Sequence, residues 1–151
     1  MIEMLEGHWE KFKALEKLQD VLSSGICKQY GITQTAFQII IFLSQFPEHN
    51  TAKEICSIRC IKSSNASMTI DKLVKNDFVM KKNDSADRRI QRLELTSKGE
   101  SVARDGKKIL KEFMGILFGD LTKEEYQAFF QIINKMHDSI VRAIREKKLQ
   151  I

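Results

Sequence analysis

Residues 78–99 read FVMKKNDSADRRIQRLELTSKG, and this stretch decides the fold. Val79 to Lys82 has the character of a short strand. Asn83-Asp84-Ser85-Ala86-Asp87 is turn chemistry, because Asn and Asp side chains hydrogen-bond nearby backbone. From Arg89 to Thr96 the residues alternate, with Leu93 and Leu95 on one face and Arg92 and Glu94 on the other, as in a half-buried strand. The stretch therefore predicts a hairpin whose tip is surrounded by Lys81, Lys82, Arg88, Arg89 and Arg92. A long cation on such a tip can enter a narrow minor groove, where the negative potential is strong. The bland reading is a solvated charged hairpin. Asp84 and Asp87 look misplaced beside phosphates unless they hold an arginine or shape the turn.

Just upstream the period is helical. Thr51-Ala52-Lys53-Glu54 is a capping box, in which the hydroxyl takes an orphan N–H and the Glu reaches back. It opens a short helix from Ala52 to about Arg59. Ser63-Ser64-Asn65 supplies a second cluster of caps, Ser63 or Ser64 being the expected cap. The helix it opens runs to about Asn76, with Ala66, Ile70, Leu73 and Val74 inward. Two short helices and a tight turn make a helix-turn-helix, and the hairpin that follows makes it a winged helix. A recognition helix presents its N-terminal end to the major groove. Ser63, Ser64, Asn65, Ser67 and Thr69 put five polar residues within positions 63–69, more than one cap needs. Hydroxyls and first-turn N–H groups suit phosphates, and Asn65 suits adenine.

The flanks are helical. Ile2, Leu5, Trp9, Phe12, Leu15, Leu18, Val21 and Leu22 recur at three- and four-residue intervals, a stripe for this chain's core or for a second chain. Gly31 breaks it, Thr33 caps a second helix carrying Phe37, Ile40, Ile41 and Leu43, and Pro47 ends that helix. Ser97 to Glu100 can cap a long helix, interrupted at Gly119 and Asp120. Thr122-Lys123-Glu124-Glu125 is another capping box, opening a helix whose apolar face holds Tyr126, Phe129, Phe130, Ile133, Met136, Ile140 and Ile144. The expected fold is mainly α with a small β-hairpin wing. The expected division is an N-terminal helix (1–30), a winged helix-turn-helix domain (31–99) and C-terminal dimerisation helices (100–151).

Composition narrows the function. The chain has 151 residues with 25 Lys+Arg, 20 Asp+Glu and a net charge of +5. Residues 59–98 hold ten basic and five acidic side chains, whereas the rest hold fifteen of each, so the whole excess sits on the helix-turn-helix and hairpin. A local basic block points to a polyanion, or else to a solvated face. An odd count of three Cys argues for a reducing cytoplasm. Met1 to Asp20 has no apolar core of a signal peptide, and the longest apolar run, Ile39 to Leu43, is too short for a membrane span.

Catalysis and metal binding have no visible basis in the sequence. There is no Gly-rich phosphate loop, no Gly-x-Ser-x-Gly, and no His with a Ser or Cys partner. His8, His49 and His137 are scattered, so no metal and no cofactor is expected. Cys56 and Cys60, four apart, read as small buried hydrophobes before they read as a soft-metal or oxidation site. Cys27 has only Lys28 to favour its thiolate.

The chain from Thr51 to Gly99 resembles the MarR family (multiple antibiotic resistance regulators) of bacterial winged-helix transcription factors. The resemblance rests on Thr51-Ala52-Lys53-Glu54-Ile55, the helix from Ile61 to Leu73, Phe78-Val79, Asp84-Ser85-Ala86-Asp87-Arg88-Arg89 and Leu93-Glu94-Leu95-Thr96-Ser97-Lys98-Gly99. Gly31-Ile32-Thr33 also looks like the family. Four residues depart from the pattern: Arg59 stands for a usual Leu, Met68 for a common basic residue, Asp77 for a helix-ending Gly and Ala86 for a frequent Arg.

The resemblance implies a homodimer with interlocked terminal helices, bound to double-stranded DNA. It implies a wing contact from Arg88 or Arg89, and an arginine braced by Asp87. It places Ser64, Asn65, Ser67 and Met68 at bases or phosphates. Lys62, Ser63 and Lys72 complete the expected DNA-binding set, and Asp84 with Asp87 form the wing support. Lys81, Lys82 and Arg92 are expected to add nonspecific phosphate affinity. A small-molecule effector pocket between dimer helices and winged lobe is implied, with Trp9, Phe12 and Phe113 as lining or as plain core. The expected function is a ligand-responsive repressor on a pseudo-palindromic operator. The alternative is a winged-helix module that binds protein.

Overall fold

The computed structural model describes residues 9–147, so Ile2 and Leu5 of the N-terminal stripe lie outside the described residues. Among the described residues eight elements follow one another: α1 (Trp9–Tyr30), α2 (Gln34–Gln45), α3 (Ala52–Arg59), α4 (Ser63–Lys75), β1 (Val79–Asn83), β2 (Gln91–Leu95), α5 (Ser97–Phe118) and α6 (Lys123–Lys147). The mainly helical winged fold with one antiparallel hairpin is as expected. The chain clusters into two parts, residues 1–113 and 114–151, each taken by itself below.

In the first part the core is built on α2. Ile39 and Ile40 are fully buried, with Phe37, Phe42 and Leu43 around them. Ile26 of α1, Ile55 of α3, Ile70 and Leu73 of α4, Leu93 of β2 and Val102 of α5 close on the same cluster. At roughly 1.5–3 kcal/mol per fully buried large aliphatic side chain, this cluster dominates the folding energy. Gly31, at φ 64°, stops α1: Ile32 N–H reaches back to the Cys27 carbonyl at 3.0 Å, the left-handed ending that glycine adopts without strain. Thr33 caps α2 by accepting from Ala36 N–H.

The junction of wing and α5 explains the Leu-x-Leu-Thr-x-x-Gly run. Thr96 Oγ1 donates to the Asp77 carbonyl at 2.5 Å and accepts from Gly99 N–H at 3.2 Å. The cap of α5 is thus Thr96, not Ser97, whose side chain is exposed. A Cβ on Gly99 would sit 2.1 Å from the Phe78 carbonyl oxygen, so only glycine fits. Asp77 takes the left-handed conformation, φ 59°, that the family's glycine would supply.

In the second part, Phe118 packs edge-on to Tyr126 and Phe129, with centroids 5.3 and 5.7 Å apart. Thr122 and Glu125 form the expected capping box. The apolar face of α6 is bare in the lone chain, from Tyr126 through Phe129, Ile132, Ile133 and Met136 to Ile140.

Candidate nucleic-acid interface

α3 begins with the predicted capping box, both reciprocal bonds present. The Thr51 hydroxyl and N–H hold the Glu54 carboxyl below its ordinary range. The turn to α4 is made by Cys60 at φ 52°. Cys60 is therefore an exposed turn residue and not the buried hydrophobe expected, while Cys56 is half-buried. Cys27 is also half-buried, and burial followed by the Asp20 charge pushes its thiol up, away from thiolate chemistry.

The N-cap of α4 is Lys62, without a side-chain cap, and neither Ser63 nor Ser64 caps the helix as expected. The Lys62 carbonyl accepts from Asn65 and Ala66 N–H at 2.9 and 3.0 Å. Ser63 and Ser64 are instead the first two helical residues, with both hydroxyls exposed. Thr69 also departs from expectation: it is buried and its hydroxyl donates to the Asn65 carbonyl at 2.7 Å. Lys62, Ser63, Ser64, Asn65, Ser67, Met68 and Lys72 are all exposed.

The hairpin pairs Val79 with Leu95, Lys81 with Leu93 and Asn83 with Gln91. Strand β2 starts at Gln91, so Arg88 and Arg89 lie in the tip and not at the start of the strand. Asp84 organises that tip. One carboxylate oxygen accepts from Ala86 and Asp87 N–H at 2.8 and 3.0 Å, and the other takes Arg92 Nε. The Arg92 guanidinium, then the Asp87 and Ala86 N–H groups, hold the Asp84 carboxyl at about 2. Asp87 accepts from its neighbour Arg89's backbone N–H at 2.9 Å. The arginine brace implied for Asp87 thus falls to Asp84, and Asp87 shapes the turn.

Arg92, its side chain 40% exposed, is tied to Asp84 and Asn50 and is not free for phosphate. Its Nη1 donates to Asn50 Oδ1 at 2.9 Å, and the Asn50 carbonyl accepts from Leu93 N–H at 2.8 Å. Asn50, which ties the wing to the α2–α3 loop, carries no signal in the sequence. Its partner lies 42 positions away, and nothing local marks it. Lys81 is likewise paired with Asp71 of α4 at 2.8 Å, and Lys82 with Glu94 at 2.5 Å. Among the described residues Lys62, Lys72, Arg88 and Arg89 have no ion pair.

Within residues 1–113 a cavity of about 110 Å³ opens between α1, α2 and α5, lined by Leu22, Phe37, Ile41, Phe42, Arg59 and Phe113 among others. Phe113 is the member of the expected pocket that reaches it; the side chains of Trp9 and Phe12 lie outside what the structure describes. No group of three or more His, Cys, Asp or Glu among the described residues is placed to hold a metal ion. No described helix is long and apolar enough to cross a membrane.

The MarR family model matches residues 32–91, from the residue before the α2 cap to the first residue of β2. The chain carries a MarR-family domain. A curated relative, the uncharacterized HTH-type transcriptional regulator YsmB of Bacillus subtilis (strain 168), is 27% identical over 117 residues, 78% of this chain and 80% of that protein. The MarR fold extends beyond the matched segment. A MarR transcriptional regulator from Methanosarcina mazei Go1 superposes with TM-score 0.71 at 23% identity, covering 91% of this chain and 99% of that one. A Listeria monocytogenes MarR-family regulator complexed with 26mer DNA gives TM-score 0.76 at 17% identity, covering 94% and 95%. At these identities the structural likeness speaks for the fold.

Proposed function

We propose that this chain is a homodimeric, ligand-responsive transcriptional repressor of the cytoplasm, and not an enzyme, binding a pseudo-palindromic operator in double-stranded DNA. Under this reading α4 enters the major groove, and Arg88 and Arg89 enter the minor groove. One observation carries it. Of the cations in the basic block, those on the strands are paired internally, while Arg88 and Arg89 at the tip and Lys62 and Lys72 on α4 are exposed and unpaired among the described residues. Fixed cations on a tip pinned by Asp84 match a narrow, strongly negative groove. Exposed Ser63, Ser64 and Asn65 at the first turn of α4 match phosphates and base edges.

A second copy is the occupant that suits the bare face of α6, since contiguous apolar surface of this extent marks an interaction site. The division into 1–30, 31–99 and 100–151 follows: terminal helices for pairing, the middle for DNA. Two recognition helices about 34 Å apart then meet successive major-groove faces. An effector in the cavity beside Phe113 releases DNA only to the extent that it favours a different spacing. The cavity touches α1, α2 and α5.

The test is binding to a duplex enriched from a random-sequence pool, read by fluorescence anisotropy. The wild-type chain enriches a two-fold symmetric duplex, and Arg88→Ala/Arg89→Ala loses most of that affinity with its circular dichroism unchanged. Unchanged affinity rejects the wing assignment. Enrichment of nothing, with salt-insensitive capture of a protein instead, favours a protein-docking module.

A further inference from the structure

The outward face of α4 carries a side chain without a role in the fold. Its buried stripe is Ala66, Thr69, Ile70 and Leu73. At about 100° per residue, the positions opposite that stripe are Ser64, Met68 and Lys75. Met68 is 55% exposed there. Its neighbours on that face are polar, and Asp71, one turn on, is neutralised by Lys81 at 2.8 Å. The helix has no arginine, the side chain that grips guanine bidentately, and its own lysines, Lys72 and Lys75, are confined to the last turn. An adaptable apolar thioether thus occupies the middle of a face made otherwise of hydroxyls and charges.

The one apolar group on a major-groove edge is the thymine 5-methyl. We propose that Met68 is a specificity-determining residue that reads a thymine methyl near the middle of each half-site. This rests on the placement of α4 in the major groove proposed above. Cytosine presents bare C5–H at that place and offers no methyl to contact, while the purines present polar edges that the thioether cannot satisfy. The base opposite α4's centre is therefore set by hydrophobic contact, while hydrogen-bond readout is left to Ser64, Asn65 and Ser67.

The experiment uses the full chain and a duplex enriched from a random pool, with each thymine replaced in turn by deoxyuridine, which removes only the methyl. Wild type loses about fourfold affinity at one thymine in each half-site, the transfer free energy of one methyl-sized group. Met68→Ala binds the thymine and uracil duplexes equally. Because Met68 is a surface residue, Met68→Arg folds as well, and a pool enriched with it carries guanine at that position. Uracil sensitivity that persists in Met68→Ala, or absent sensitivity in wild type, overturns the proposal, as does an unchanged base with Met68→Arg. An enriched duplex indifferent to uracil rejects this inference alone; a pool that yields no duplex rejects it together with the DNA-binding reading.

Discussion

Neutralising Arg88 and Arg89 will change the salt dependence of DNA binding by an amount that the structure sets. Lys62, Lys72, Arg88 and Arg89, the four cations assigned above to DNA, are exposed and free of internal ion pairs among the described residues, so a dimer offers eight such contacts. Each phosphate neutralised contributes about −0.9 to the slope of log K against log salt, giving about −7 for the wild type. Arg88→Ala/Arg89→Ala removes half of these contacts and leaves about −3.6. Between about 50 and 200 mM KCl the wild type loses about 10⁴ in affinity and the variant about 10². The contrast is Lys82→Gln/Glu94→Gln, which removes an internal pair, one charge of each sign, 2.5 Å apart. Its slope stays within about 1 of wild type, because a cation already matched to a carboxylate releases few counterions. Anisotropy titrations over that salt range decide it. A slope reduced as far by the Lys82/Glu94 change as by the arginine change refutes the division into free and committed cations.

Three further outcomes follow from the geometry. Gly99→Ala drives a Cβ to 2.1 Å from the Phe78 carbonyl and should cost about 1–3 kcal/mol by urea unfolding, and a neutral effect removes that account of the motif glycine. Asp84 has its carboxyl lowered from 3.8 to about 2, so the stability it adds is present above 3.8 and is lost as pH falls toward 2. The Ala86 and Asp87 amide resonances that report its hydrogen bonds should titrate near 2, and a midpoint near 4 contradicts the Arg92 brace. Ile132→Glu/Met136→Glu places carboxylates on the bare face of α6. It should raise the dimer dissociation constant roughly a hundredfold or more, seen as a fall in light-scattering mass toward the 17.5 kDa chain; an unchanged dimer places the interface elsewhere.

What was legible in the sequence was local. The Thr51–Glu54 box is a four-residue pattern, and it marked the start of α3; alternation around Leu93 and Leu95 marked the hairpin. What was missed depends on distant partners or on backbone geometry. The left-handed turn at Cys60 moves the start of α4 so that Lys62, with no capping side chain, takes the place expected of a serine. Thr69 looked like one more polar contact, yet helical phase turns it to the core, where its hydroxyl is satisfied by the Asn65 carbonyl. Arg92, Lys81 and Lys82 are bare charges in the sequence, whereas in the fold Asp84, Asp71 and Glu94 lie beside them. The excess of +5 is unchanged, but three of the block's cations, Lys81, Lys82 and Arg92, are matched internally and leave the wing tip to Arg88 and Arg89.

Under the proposed function α4 and the wing tip occupy adjacent major and minor grooves of the same half-site. Hydroxyl-radical footprinting on the enriched duplex reads minor-groove access directly. Two symmetric half-sites about 34 Å apart are expected, each with minor-groove protection at its outer flank that disappears in Arg88→Ala/Arg89→Ala while central protection remains. A footprint without flanking minor-groove protection, or one that the arginine variant leaves intact, contradicts it.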